Sequence, residues 1–178
     1  GYMTYKSQSD PEVRKEADLT YSADLGLYEK NKETAERELE NLKTDIENQQ
    51  EYMEKSIWIN MSPYDVCEAK IDMYIATDYT IMPGMIYQNP DYTNTILDVY
   101  RAMLTSSAVM EDVAAALKSE PRYLQELVTV DAGSNHILSI SAKHTTKEAA
   151  DKLLDALLDH MQSMQEQVTA SVGAHTIS

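Results

Sequence analysis

Apolar residues return along this chain at two different intervals, and the change of interval divides it. From Glu12 to about Lys55 there is no proline. In this stretch Ala35, Leu39, Leu42, Ile46 and Met53 keep a three-four spacing, with Gln49 at the remaining seam position. That spacing predicts one long helix with a narrow apolar stripe between charged faces, a coiled-coil-like seam. Asp10-Pro11 supplies its start, Asp as the cap and Pro at the first helical position. Gly26 is the only interruption. If unbroken, such a helix spans on the order of 60 Å. Residues 1–9 are polar and are expected to be loose.

Beyond Lys55 the interval shortens to two. Ser56–Met61 reads as a short strand or extended corner, broken by Ser62-Pro63. Ala69, Ile71, Met73 and Ile75 share one face of a strand over 68–75. Pro83, Gly84 and Pro90 mark a loop over 78–91. Asp91 is placed to cap a helix through Met103, and Thr105-Ser106-Ser107 marks a restart with Ser107 as the cap of a run to Leu117. Pro121 opens a short helical turn through Leu127. Strands over 128–131 and 137–143 flank a tight turn in which Gly133 and Asn135 are the residues suited to positive φ. Thr145-x-x-Glu148 reads as a capping box for a helix over 146–170 that carries Ala150, Leu154, Leu157, Met161, Met164 and Val168 on one side. Gly173 ends it, and His175–Ser178 opens another strand. The order from Glu68 onward is βαββαβ, that of a ferredoxin-like sandwich. The expected architecture is therefore α+β, with an N-terminal helical arm over 1–55 and the sheet domain over 56–178.

Charge narrows the partners. Acids outnumber bases 30 to 15 among 178 residues, for a net charge of −15. That argues against a nucleic-acid backbone or an anionic lipid surface as the main partner. The acidity itself is read as a source of solubility. Phe is absent while Tyr occurs 12 times. Tyr covers apolar surface and keeps a polar tip in water, which suits modest cores and interfaces. Cys67 stands alone, so neither an internal disulfide nor a cysteine zinc cluster forms. No apolar run reaches the roughly 18 residues of a membrane span. The chain as it stands is expected to be soluble, and its ends read as those of a piece of a longer protein.

Chemistry is sparse. There is no P-loop, GxGxxG, GxSxG, HExxH or CxxC. His136 and His144 lie at opposite ends of one strand, too far apart to share a metal, and with His160 and His175 they are read as exposed polar residues near element ends. The acid pairs Glu111-Asp112 and Asp151/Asp155 have no companion motif and are read as solvated. Cys67 has no neighbouring base. Met103, Met110, Met161 and Met164 recur at helical spacing and are read as core filler. Trp58 and Tyr64 form either a sugar-stacking or subunit-contact platform, or, with Ile57 and Ile59, the closure of the joint between long helix and sheet. No catalytic, cofactor-binding or metal-ligating residue is assigned. The candidate interaction surface is Leu39, Leu42, Ile46, Trp58 and Tyr64.

One segment supports a family resemblance. Residues 124–160, LQELVTVDAGSNHILSISAKHTTKEAADKLLDALLDH, resemble the extracytoplasmic domain of Wzz-type polysaccharide chain-length determinants, the polysaccharide co-polymerases. In that family a strand pair is followed by a loop and an alanine-rich helix of the same layout. Ala149–Leu157 stands where the family has an Ala-x-x-Ile-Ala-Asn-Ala-like run, with Asp155 replacing the frequent Asn. Segment 93–117 resembles the preceding helix of the family, including its Ser-rich restart. The resemblance implies an extracytoplasmic α/β base with a helical arm, anchored in a bacterial membrane by two flanking helices. It implies side-by-side self-association and control of the length of capsular or exopolysaccharide made by a partner polymerase. In Gram-positive relatives it implies a cytoplasmic tyrosine kinase as a second partner. It implies no catalytic constellation and no cofactor. The arm precedes the sheet domain here, where many members insert it later. The rival reading is a ferredoxin-like ligand-binding or regulatory module of a larger protein, since fold alone implies no function.

Overall fold

A computed structural model describes residues 10–77, 83–84 and 91–178. The chain divides into two compact units, one up to Tyr52 and one from Met53 to Ser178.

Helix α1 runs Pro11–Lys55 without a break at Gly26. Asp10 Oδ1 accepts the Glu12 N–H at 3.0 Å, which satisfies one of the orphan donors of the first turn. Thr34 and Thr44 donate their hydroxyls to the carbonyls four residues back, at 2.9 and 3.0 Å, and so fit inside a helix despite their branching. No residue of α1 is buried. At its end the Asn60 carboxamide donates to the carbonyls of Met53, Glu54 and Ser56 at 2.9, 3.2 and 2.9 Å. The Met53 and Glu54 carbonyls are last-turn groups with no helical partner of their own, while the Ser56 carbonyl also accepts the Asn60 N–H at 3.2 Å.

The extended run expected over Ser56–Met61 is instead a single helical turn, α2, Ile57–Asn60. Ser56 is its cap, accepting the Ile59 N–H at 3.3 Å and donating its hydroxyl to Glu126 at 3.0 Å. A capped turn satisfies these backbone groups locally, where a strand of the same length needs a neighbour.

Strand β1, Cys67–Thr77, is followed by α3 (Thr93–Leu104), α4 (Ser107–Leu117), α5 (Pro121–Gln125), β2 (Val128–Ala132), β3 (Ile137–His144), α6 (Lys147–Leu158), α7 (Met161–Ser171) and β4 (His175–Ile177). The sheet order is β2-β3-β1-β4 with every neighbour antiparallel. Ile140 is the centre of one cross-strand row, opposite Ile71 on β1 and Val130 on β2. Alternation gives the sheet one apolar face, packed under the helices, and one polar face. Ile75, Leu138, Ile140 and Ala142 join Ile96, Leu97, Tyr100, Leu104, Val113, Ala150, Leu153, Leu157 and Val168 in a single core cluster. Met61, Met110, Met161 and Met164 fill the same cluster. On the polar face Ser139 donates to Asp72 at 2.6 Å and Ser141 donates to Glu68.

Several boundaries differ from the expected ones for local reasons. The α4 cap is Ser106, not Ser107, and its hydroxyl accepts the Val109 N–H at 3.4 Å. The α6 cap is Thr146, which accepts the Ala149 N–H at 3.1 Å. Thr145 lies beside His144 instead, so no capping box forms with Glu148. The helix expected over 146–170 breaks at Asp159-His160. There the His160 N–H bonds three residues back to Leu157 at 3.1 Å, while the His160 ring bonds the Ala156 carbonyl at 3.0 Å. Asp91 does not occupy the cap position of α3, which is Tyr92, but its carboxylate accepts the Thr93 N–H at 2.9 Å. In the β2–β3 turn neither Gly133 nor Asn135 takes positive φ; His136 does, at 60°. That conformation lets the His136 carbonyl accept the Ile75 N–H at 2.9 Å, while the Gly133 N–H closes the turn on Ile137 at 2.8 Å. The loop expected over 78–91 lies outside the described residues except for Pro83, Gly84 and Asp91, as does the polar stretch 1–9.

Candidate functional site

Every member of the candidate interaction surface lies in the open. Leu39, Leu42 and Ile46 are 67%, 59% and 54% exposed along α1, and Trp58 and Tyr64 are 46% and 97% exposed. The seam on α1 runs further than its C-terminal half. Tyr21, Leu25 and Tyr28 are also exposed, and they continue the same three-four spacing through Lys32 to Ala35. Gly26, read as an interruption, lies beside this line and leaves it intact.

On α2 only Ile57 packs against the core, whereas Trp58 and Ile59 face outward. They border a hollow of about 440 Å³ completed by Met61, Pro63 and Val66. Lys143 Nζ stands 5.9 Å from the indole centroid, near the outer limit for a cation–π contact. Met61 and Val66 also border a second, shallow hollow of about 620 Å³ with Tyr64, Asp65, Cys67 and Thr145. Trp58 and Tyr64 thus edge adjoining hollows of one surface. A third groove of about 550 Å³ runs between α3–α4 and α7, lined by Val99, Met103, Val109 and Met164, with Asp112 3.5 Å from His160.

The histidines are not all exposed. His175 is buried, and its Nε2 lies 2.5 Å from the Tyr100 hydroxyl while Nδ1 lies 3.0 Å from the Gly173 carbonyl. A neutral ring that donates from Nδ1 and accepts at Nε2 satisfies both contacts. Burial pushes the Tyr100 hydroxyl up to about 12, so it remains a donor. His144 accepts the Thr145 N–H at 2.9 Å, and burial lowers its pKa. Asp91 is lowered first by the Thr93 hydroxyl at 2.6 Å, then by the Thr93 N–H, with His136 4.0 Å away adding attraction. Asp151 pairs with Lys147 at 2.8 Å. Cys67 makes only a long contact, 3.9 Å, to the Asp65 carbonyl. Among the described residues no group of three or more His, Cys, Asp or Glu is placed to hold a metal ion. No helix among them is long and apolar enough to cross a membrane.

No family model matches the chain, and neither a curated protein nor a solved structure matches it.

Proposed function

We propose that this chain is a non-catalytic, extracytoplasmic part of a membrane-anchored polysaccharide chain-length determinant. Its work is association: with further copies of itself, with a polysaccharide polymerase, and through the parent protein with a cytoplasmic tyrosine kinase. We further infer that the sheet domain is ferredoxin-like. The order β2-β3-β1-β4 with antiparallel neighbours supports this, because it places the two central strands of a βαββαβ chain side by side.

The observation that carries the reading is where large apolar side chains go. The 124–160 segment that bears the family resemblance folds into the β2–β3–α6 centre of the core. Leu39, Leu42, Ile46, Trp58 and Tyr64, by contrast, are left on the surface. Exposed apolar positions in series fit a protein that binds other chains.

The test is made in the source cell. Replacing the native gene by the Leu42→Asp, Trp58→Ala double variant should change the length distribution of the surface polysaccharide and leave its sugar composition unchanged. A deletion strain whose polymer has the wild-type length distribution overturns the reading.

A further inference from the structure

Helix α1 buries none of its residues, so every position of its seam is open. Over 28–53 the three-four alternation continues without a skip, and two seam positions are polar, Lys32 and Gln49. A polar residue inside such a seam costs stability and discriminates between registers of pairing, while the flanking charges set direction. Lys32 and Gln49 stand at equal distances from the middle of the stretch, which falls between Leu39 and Leu42. Tyr28 and Met53 are likewise equidistant from that middle, and so are Ala35 and Ile46.

Two copies of this helix can pair in either direction, and the seam does not suit both equally. In a parallel pair in register, each seam residue meets its own copy. Lys32 then faces Lys32, two like charges within the seam. On the flanks Asp24 faces Glu29, which repels, and Glu38 faces Lys43, which attracts. In an antiparallel pair centred between Leu39 and Leu42, the polar positions sort together, and the Lys32 ammonium meets the Gln49 carboxamide oxygen as its acceptor. Leu39 meets Leu42, the small Ala35 meets the large Ile46, and the Tyr28 ring meets the Met53 thioether. The two lysines lie about 25 Å apart. On the flanks Glu36 attracts Lys43 and Glu38 repels Asp45. Each direction has one kind of attractive and one kind of repulsive flank pair, so the seam lysine decides between them.

We propose that the partner of this seam is a second copy of the chain, paired antiparallel over 28–53. A two-fold axis then repeats every contact, as in other isologous dimers. The association proposed above requires only that copies meet. This contact supplies a surface and a direction, and it can fail while that reading stands.

The test uses the full chain carrying Cys67→Ser, so that an introduced thiol is the only one present. Tyr28→Cys and Met53→Cys are made singly in that background. Both positions are exposed, 65% and 62%, so neither change disturbs a packed side chain. In a glutathione redox buffer at high protein and salt, an equal mixture of the two should yield the mixed disulfide dimer. Neither variant alone should crosslink, because in the antiparallel pair like positions are about 38 Å apart. Lys32→Leu should let the parallel pair compete, so that each single variant then crosslinks to itself; an unchanged pattern overturns the role given to Lys32. Self-crosslinked single variants with Lys32 in place, and no mixed dimer, show a parallel pair and overturn the proposal. A chain that stays monomeric in sedimentation and uncrosslinked in the mixture also overturns it and assigns the seam to a different protein. In either case polymer length in the deletion strain still decides the chain-length reading.

Discussion

The Tyr100 hydroxyl meets His175 Nε2 at 2.5 Å, so a residue in the middle of α3 holds the first residue of the last strand from inside the core. Both side chains are buried, and the rings pack edge to face at 5.4 Å. Tyr100→Phe keeps the packing and leaves a buried ring nitrogen without its donor. It should cost ~1–3 kcal/mol in urea unfolding. A loss under half of the lower bound means that water takes the place of the hydroxyl.

The same tyrosine contributes to the response to alkali. Its folded pKa of about 12 lies above the ordinary tyrosine value of about 10. Between these values the unfolded chain releases the proton and the folded chain keeps it. Its contribution is fully present below the lower value and is lost as pH rises toward the upper one. Tyr100→Phe should flatten that part of the stability profile.

His144 acts at the acid end with the opposite sign. Burial lowers its folded pKa, so the unfolded chain takes up the proton first as pH falls. Stability should be indifferent to His144 well above the ordinary histidine range and should drop as pH enters and passes below it. Thermal unfolding of His144→Gln across that range should show a shallower decline than wild type.

Ile140 and Leu154 probe the core under the resemblance segment. Both are buried, on β3 and α6. Ile140→Ala and Leu154→Ala should each destabilise by ~2–4 kcal/mol. Losses below half a kcal/mol in both would assign these side chains to the wrong faces.

His136 holds a backbone conformation that L residues seldom adopt, φ 60°. Glycine there relieves about 1 kcal/mol of steric cost, partly offset by the loss of the Asp91 contact. His136→Gly should therefore be neutral or mildly stabilising, whereas His136→Val should destabilise. Equal effects of the two in urea unfolding would place the cost in the side-chain contact alone.

The seam on α1 predicts how association responds to salt. With a net charge of −15, copies repel one another, and added salt should strengthen contact through Leu39, Leu42 and Ile46. Sedimentation should show association that rises with salt and falls in Leu42→Asp. A salt-independent oligomer untouched by that substitution would place the contact elsewhere.

The sequence made the fold's alternations legible and hid its contacts between distant positions. Ala69, Ile71, Met73 and Ile75 announced β1 because period-two burial leaves a direct trace. The break at Asp159-His160 left none, since Met161, Met164 and Val168 continue the spacing of α6 across it. Ser106 and Ser107, or Thr145 and Thr146, offer the same hydroxyl one position apart, and only the packed helix selects between them. His136 carried a faint signal, because histidine is among the few residue types enriched at positive φ. Trp58 was legible as a large aromatic but not as an exposed one, since helix or strand at Ile57–Asn60 decides which way it faces. Tyr100 and His175 are 75 positions apart, and no local pattern joins them.

A core that holds four methionines and no phenylalanine carries its own record of opening. The chain has no Phe, and Met110 and Met164 sit deep in the cluster while Met53 lies exposed at the end of α1. Dilute peroxide should reach the Met53 thioether at once and the two interior sulfurs only when the cluster breathes. Each interior sulfoxide would carry a polar oxygen into the apolar cluster, so that the opening which admitted the oxidant is no longer fully reversed. The order in which sulfoxides accumulate is then a chemical clock of the fold's own excursions.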